Sequence, residues 1–259
     1  MMTRPRTLLP ALAASALVLA GCASGGAPTS AADGERTILN VFAAASLTEA
    51  FGALEKTFES GHPNVDVVLN LAGSQDLVAQ MAANSGADVL ATANESTMAD
   101  AVSRGLVGEP RVFATNTLAL ITPAGNPAGV TGLDSSLSRA KLVICAPEVP
   151  CGALTAQLAE ARGVRLDPAS EEQAVTDVRG KVSSGEADAG IVYRTDALAA
   201  GDAVETIPIA GTEAVAAVYP IAVAIEAVHP DPASAWVDLV LSDAGQRVLG
   251  AAGFTPAAQ

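Results

Sequence analysis

The feature that most constrains this chain is a repeating unit: an apolar run of strand length, a turn of small residues, then a segment with its apolar residues on one helical face. Ile38-Leu39-Asn40-Val41-Phe42 reads as a buried strand, and after Ser46 the residues Leu47, Ala50, Phe51, Leu54 and Phe58 fall on one side of a helix. Val65 to Leu71 and Ala87 to Ala91 are further strands, followed by helices from about Gln75 to Asn84 and Ser96 to Arg104. The alternation restarts with strands at Leu118 to Thr122 and Leu142 to Cys145, helices at Ala153 to Ala161 and Ala174 to Ser184, and a strand at Ala189 to Val192. Val215 to Ile225 is a β-rich stretch broken by Pro220, and helices around Trp236 and Val248 close the chain. This pattern predicts two α/β units with parallel sheets and short connections, the last segment returning to the first unit. A chain of 259 residues is long enough to bury the core of one large domain or two modest ones.

The first residues read as an address. Arg4 and Arg6 precede an apolar stretch from Leu8 to Ala20, too short for a comfortable membrane span, and Leu19-Ala20-Gly21-Cys22 follows. That tetrapeptide resembles the bacterial lipobox, which implies a signal peptide over residues 1–21, a lipid on Cys22 and anchorage of the exported protein to the outer face of the cell membrane. Ala23 to Asp33 supply Ser, Gly, Pro and Ala without periodicity, and residues 22–36 read as a flexible tether. The other two cysteines, Cys145 and Cys151, close a short loop through Pro147 and Pro150; in an exported protein such a pair is best read as a disulfide. A metal pair, which lacks nearby His ligands, and two free buried thiols are the competing readings.

Charge and composition remove several classes of function. With 14 Lys and Arg against 28 Asp and Glu, the net charge is −14, and the cationic face that nucleic acid requires is missing. The two histidines, His62 and His229, stand apart from cysteines and paired acids, so neither a zinc site nor a His-based triad can be drawn. Ser138-Arg139-Ala140-Lys141 has the S-x-x-K spacing of penicillin-recognising enzymes without their companion motifs, and a helix end explains it better. An enzyme with Ser46 as nucleophile fails for want of a base.

What remains are the turns beyond the strands, where open α/β sheets bind ligands. Ser46 precedes Glu49 with capping-box spacing, and Gly73-Ser74 repeats the strand, Ser, helix arrangement. A capping Ser retains a hydrogen to donate outward. Two converging helix N-termini of this kind make an anion site without Lys or Arg.

Val-Phe-Ala-Ala-Ala-Ser-Leu-Thr at 41–48, Ala-Gly-Ser at 72–74, Val-Pro-Cys-Gly at 149–152 and Gly-Glu-Ala-Asp-Ala-Gly-Ile-Val-Tyr at 185–193 resemble the periplasmic molybdate-binding proteins of ABC transporters, in order, from about Thr37 to Phe254. The resemblance implies a two-lobed α/β binding protein of type II, with two hinge crossings near Leu118 and Tyr219. Residues 37–117 and 219–259 would form the first lobe and residues 118–218 the second. It implies no enzyme activity and no cofactor, with molybdate or tungstate bound as oxyanion, an ABC permease as partner and a monomer in solution. Carried over by motif, the ligand residues are Ser46 and Ser74 through hydroxyl and backbone, Cys151 and Val175 through backbone N–H, and Tyr193 through its phenol. A small shift along the helix from Val175 towards Val178 stays open. Sulfate, another oxyanion or a sensor lipoprotein that no longer transports are the alternatives.

Overall fold

The computed structural model describes residues 36–84 and 86–256. The signal peptide, Cys22 and nearly all of the tether lie outside the described residues.

The chain runs β1 (Thr37–Ala44), a 3-10 turn (Ala45–Leu47), α1 (Thr48–Gly61), β2 (Val65–Ala72), α2 (Ser74–Ala82), β3 (Val89–Ala91), α3 (Glu95–Ser103) and β4 (Arg111–Asn116). It then crosses into β5 (Leu118–Pro123), β6 (Leu142–Cys145), α4 (Pro150–Arg162), β7 (Ser170–Glu172), α5 (Val175–Ser183), β8 (Ala189–Tyr193), α6 (Arg194–Ala200) and β9 (Val204–Ile207). It returns through β10 (Ala217–Val223), α7 (Pro230–Leu241), α8 (Asp243–Ala251) and β11 (Thr255–Pro256).

Two sheets result. The first has the order β11-β4-β10-β3-β1-β2 and the second β7-β6-β8-β5-β9. Both are mixed, which corrects the expectation of parallel sheets. The βαβ crossovers pair β1 with β2 and β3, and β6 with β7 and β8, in parallel. The strands beside each crossing between sheets, β4, β5 and β10, pair antiparallel with their neighbours. Strand direction depends on which sheet a segment returns to, and local periodicity does not record that. Pro220 does not break β10. The register shifts between Tyr219 and Pro220, and this irregularity accommodates a residue with no N–H inside a central strand.

The sheets are covered by helices whose buried faces follow the helical repeat. On α1, Ala50, Phe51, Leu54 and Phe58 point inward, and Phe51 and Phe58 each meet the fully buried Trp236 of α7 edge-on, with ring centroids 5.5 Å apart. His62 ends α1 and stacks on Phe58. The S-x-x-K segment begins in a 3-10 turn, Ser135–Arg139. Among the described residues no helix is long and apolar enough to cross a membrane.

Candidate functional site

Every parallel strand ends near one small cavity between the two sheets. The first half of the chain contributes Ala44 to Ser46 after β1, Ala72 to Ser74 after β2 and Ala93 after β3. The second half contributes Val149 to Cys151 after β6, Val175 after β7 and Tyr193 from the end of β8. The carboxyl ends of strands are where α/β sheets expose helix N-termini, and the topology alone concentrates donors here. The five residues singled out in the sequence, Ser46, Ser74, Cys151, Val175 and Tyr193, are brought together on this cavity, and all are buried.

Neither serine caps its helix through its side chain. Helix α1 begins at Thr48, and Leu47 precedes it with no side-chain bond. Ser46 sits in the 3-10 turn, its Oγ 2.9 Å from the hydroxyl of Tyr219, while Glu49 turns to Arg179 instead of completing a capping box. Ser74 is the first residue of α2, and its Oγ accepts from the Ala93 N–H at 3.1 Å. Tertiary partners have replaced the local ones that the spacing implied.

Three helices, α2, α4 and α5, start at the cavity with Ser74, Pro150 and Val175. First-turn N–H groups have no partner inside their own helix and carry the positive end of its dipole. Pro150 has no N–H, which makes that of Cys151 the first in α4. The bond between Cys145 and Cys151 is formed, tying the end of β6 to the start of this helix. Gly152 permits the close approach: a Cβ there would lie 2.6 Å from the Cys145 carbonyl oxygen and nearer still to that of Ala146.

Tyr193 has a hydroxyl that is buried and has no hydrogen-bond partner among the described residues. Burial, then its neighbours Tyr219 and Asp196, push its pKa well above the ordinary tyrosine range, so it stays a protonated donor. An orphaned buried hydroxyl is costly unless something fills its need. Among the described residues no Lys, Arg, Asp, Glu or His side chain lines the cavity. It offers two serine hydroxyls, one phenol and helix-start N–H groups, a set suited to an anion that brings acceptors and no protons. The cavity is small, with room for one compact species.

Several residues around the cavity were not legible as functional. Tyr219 and Asn116 stand behind Ser46, and Gln75 of α2 donates to the Gln173 carbonyl at 3.1 Å across the gap between the lobes. Arg179 spans the same gap to Glu49 and faces the buried Asp196. The one available signal was that the chain has only two tyrosines, Tyr193 and Tyr219. The glutamines carry none.

The chain matches the family model described as bacterial extracellular solute-binding protein over residues 39–255. It is 39% identical over 250 residues to the molybdate-binding protein ModA of Mycobacterium tuberculosis, covering 95% of each chain. Among solved structures it resembles the periplasmic molybdate-binding protein of Azotobacter vinelandii, with a TM-score of 0.71, 19% identity and coverage of 85% of this chain and all of that one. It also resembles the sulfate-binding protein SubI of M. tuberculosis, with a TM-score of 0.70, 22% identity and coverage of 85% and 87%. At these identities the two structures speak for the fold.

Proposed function

The chain belongs to the family of bacterial extracellular solute-binding proteins, and on that premise we propose that it closes its two lobes on molybdate, or on tungstate, and delivers the ion to an ABC transporter permease. The observation that carries this reading is the cavity of donors alone. Molybdate at neutral pH is a dianion with no proton, so every oxygen seeks a donor and none seeks an acceptor. Ser46, Ser74 and Tyr193 would give hydroxyls, and Ser74, Cys151 and Val175 backbone N–H groups. A carboxylate in the site would repel such an ion, and among the described residues none lines the cavity. The 39% identity to a protein named for molybdate supports the same choice.

Residues from both halves of the chain line the site, so only the closed arrangement completes the set, and the ligand would bias the lobes towards it. Cys22 would carry the lipid that holds the exported body at the outer face of the membrane. Sulfate is the second reading, favoured by the fold shared with a sulfate-binding protein. It has the same charge and shape as molybdate, and its shorter bonds leave cavity size as the discriminator.

Calorimetric titration of the soluble body, starting after Cys22, with molybdate, tungstate, sulfate and phosphate in one buffer tests the proposal. Tight one-to-one binding of the first two, with little heat from the others, is the expected result. Sulfate binding as tightly as molybdate would move the function to sulfur uptake, and silence from all four ions would overturn the oxyanion reading.

A further inference from the structure

Ser46 is held from behind by a directional chain of hydrogen bonds. At its far end the Thr117 N–H donates to Oδ1 of Asn116 at 2.9 Å, which fixes the orientation of that amide. Its NH2 group therefore faces the other way, 2.9 Å from Oγ1 of Thr195 and 3.5 Å from the hydroxyl of Tyr219. Asn116 and Tyr219 are both buried, so no bulk water intervenes to reset the order. The phenol has one hydrogen, and the amide presents it only with donors. The Tyr193 phenol also stands beside Tyr219, but its hydroxyl makes no hydrogen bond in this geometry, and the acceptor left within reach is Oγ of Ser46, at 2.9 Å. Tyr219 donates to Ser46, and the Ser46 hydrogen is not consumed internally.

We infer that Asn116 and Tyr219 are positioning residues that set the direction of this chain, keep Ser46 a donor towards the cavity, and thereby select fully deprotonated oxyanions over those that retain a proton. The inference rests on the reading of the cavity as an oxyanion site and deepens it. If the chain ran the other way, Ser46 would spend its hydrogen on Tyr219 and offer the ligand lone pairs alone. Such a hydroxyl accepts from a P–OH group and repels a bare oxygen. Ser74 has the same logic in a simpler form, since the Ala93 N–H occupies one acceptor position and leaves the hydrogen free. Selectivity then lies partly in the protons of the wall and not only in the room the wall encloses.

Asn116→Asp reverses the chain with almost no change of shape. The introduced carboxylate accepts the Tyr219 hydrogen, Tyr219 then accepts from Ser46, and the Ser46 hydrogen turns away from the cavity. Molybdate and hydrogen phosphate carry equal charge at pH 8, so a plain electrostatic effect of the new carboxylate cancels in the ratio of their affinities. That ratio, read by calorimetric competition of phosphate against bound molybdate, is expected to fall by at least about tenfold, the equivalent of one net hydrogen bond. Adding Tyr219→Phe to Asn116→Asp cuts the chain and is expected to restore the ratio to that of Tyr219→Phe alone. An unchanged ratio in Asn116→Asp overturns the inference, and so does a fall that persists when Tyr219 is also replaced. If Asn116→Asp does not fold, the uncharged Asn116→Leu, which frees the Tyr219 and Ser46 pair to run either way, is expected to lower the ratio severalfold, and no change there overturns the inference equally. Failure of the unaltered protein to bind molybdate is a separate outcome, which sinks the functional reading on which the relay depends.

Discussion

Arg179 on α5 reaches across the gap between the lobes to Glu49 on α1, Nη1 to Oε1 at 2.9 Å, and the same nitrogen lies 4.0 Å from Oδ1 of Asp196. One guanidinium thus serves a half-exposed carboxylate on one lobe and a buried one on its own. If the two lobes open and close as proposed, this contact would be lost on opening and would add to the stability of the closed form.

Replacing Arg179 by Gln is expected to weaken molybdate binding about two- to fivefold, the scale of a partly exposed ion pair. Titrations at low and high salt check it: the unaltered protein should lose affinity on adding salt and the variant should lose less. Equal salt sensitivity in both would show that the pair does not contribute to closure.

Asp196 gives a pH dependence. Burial pushes its carboxyl up to about 7, the nearby Arg179 opposing and Glu49 adding to the shift. A carboxyl whose folded-state pKa is raised binds its proton more tightly in the native state than in the unfolded one. Its contribution to stability is therefore fully present below the usual Asp range and is lost as pH rises through about 7. Urea midpoints at pH 5 and pH 8 should show Asp196→Asn gaining on the unaltered protein by a few kcal/mol at the higher pH. A difference that does not change with pH would mean that Asp196 stays charged throughout.

Tyr193→Phe separates binding from stability. Its hydroxyl has no protein partner, so removing it is expected to leave the ligand-free protein as stable or slightly more so, by thermal melting. Molybdate affinity should fall by ~1 to 3 kcal/mol, the cost of one hydrogen bond to a charged ligand, as it should for Ser46→Ala and Ser74→Ala. A destabilised but fully binding variant would remove Tyr193 from the site.

The disulfide ties the end of β6 to the start of α4 and, on the proposed reading, leaves contact with the ligand to the Cys151 N–H. Replacing Cys145 and Cys151 together by Ala is expected to cost about 2 kcal/mol of stability, from the entropy of so short a closed loop, and to change molybdate affinity less than threefold. Denaturant melts and titration of the double variant check both halves. Loss of binding without loss of stability would mean that the sulfur, not the Cys151 N–H, faces the ion.

The sequence carried the elements whose signals are local. The face of α1 through Phe51, Leu54 and Phe58, the strand at Ile38 to Phe42 and the turns that present Ser46, Ser74 and Cys151 follow from periodicity and from motif spacing. What it did not carry was set by partners far along the chain. Ser46 and Glu49 have the spacing of a capping box, yet Tyr219, 173 positions away, takes the hydroxyl, and Arg179, 130 positions away, takes the carboxylate. β4 leaves little trace in the sequence because Arg111 and Val112 are exposed and its apolar pattern is weak. β9 has one buried residue and β11 only two residues in all. The bulge at Pro220 is visible only once β4 lies beside it.

The position of β10 bears on when the first sheet can form. In the first sheet β3 and β4 do not touch each other; β10 lies between them, and it is made only after the whole second sheet has been synthesised. Until Tyr219 and its neighbours arrive, the first sheet is two unjoined pieces, one of them a lone strand with both edges open. Pairings this distant in sequence close slowly. A nascent chain that lacks β10 therefore cannot complete its first sheet, and that half stays open until almost the whole chain has been made.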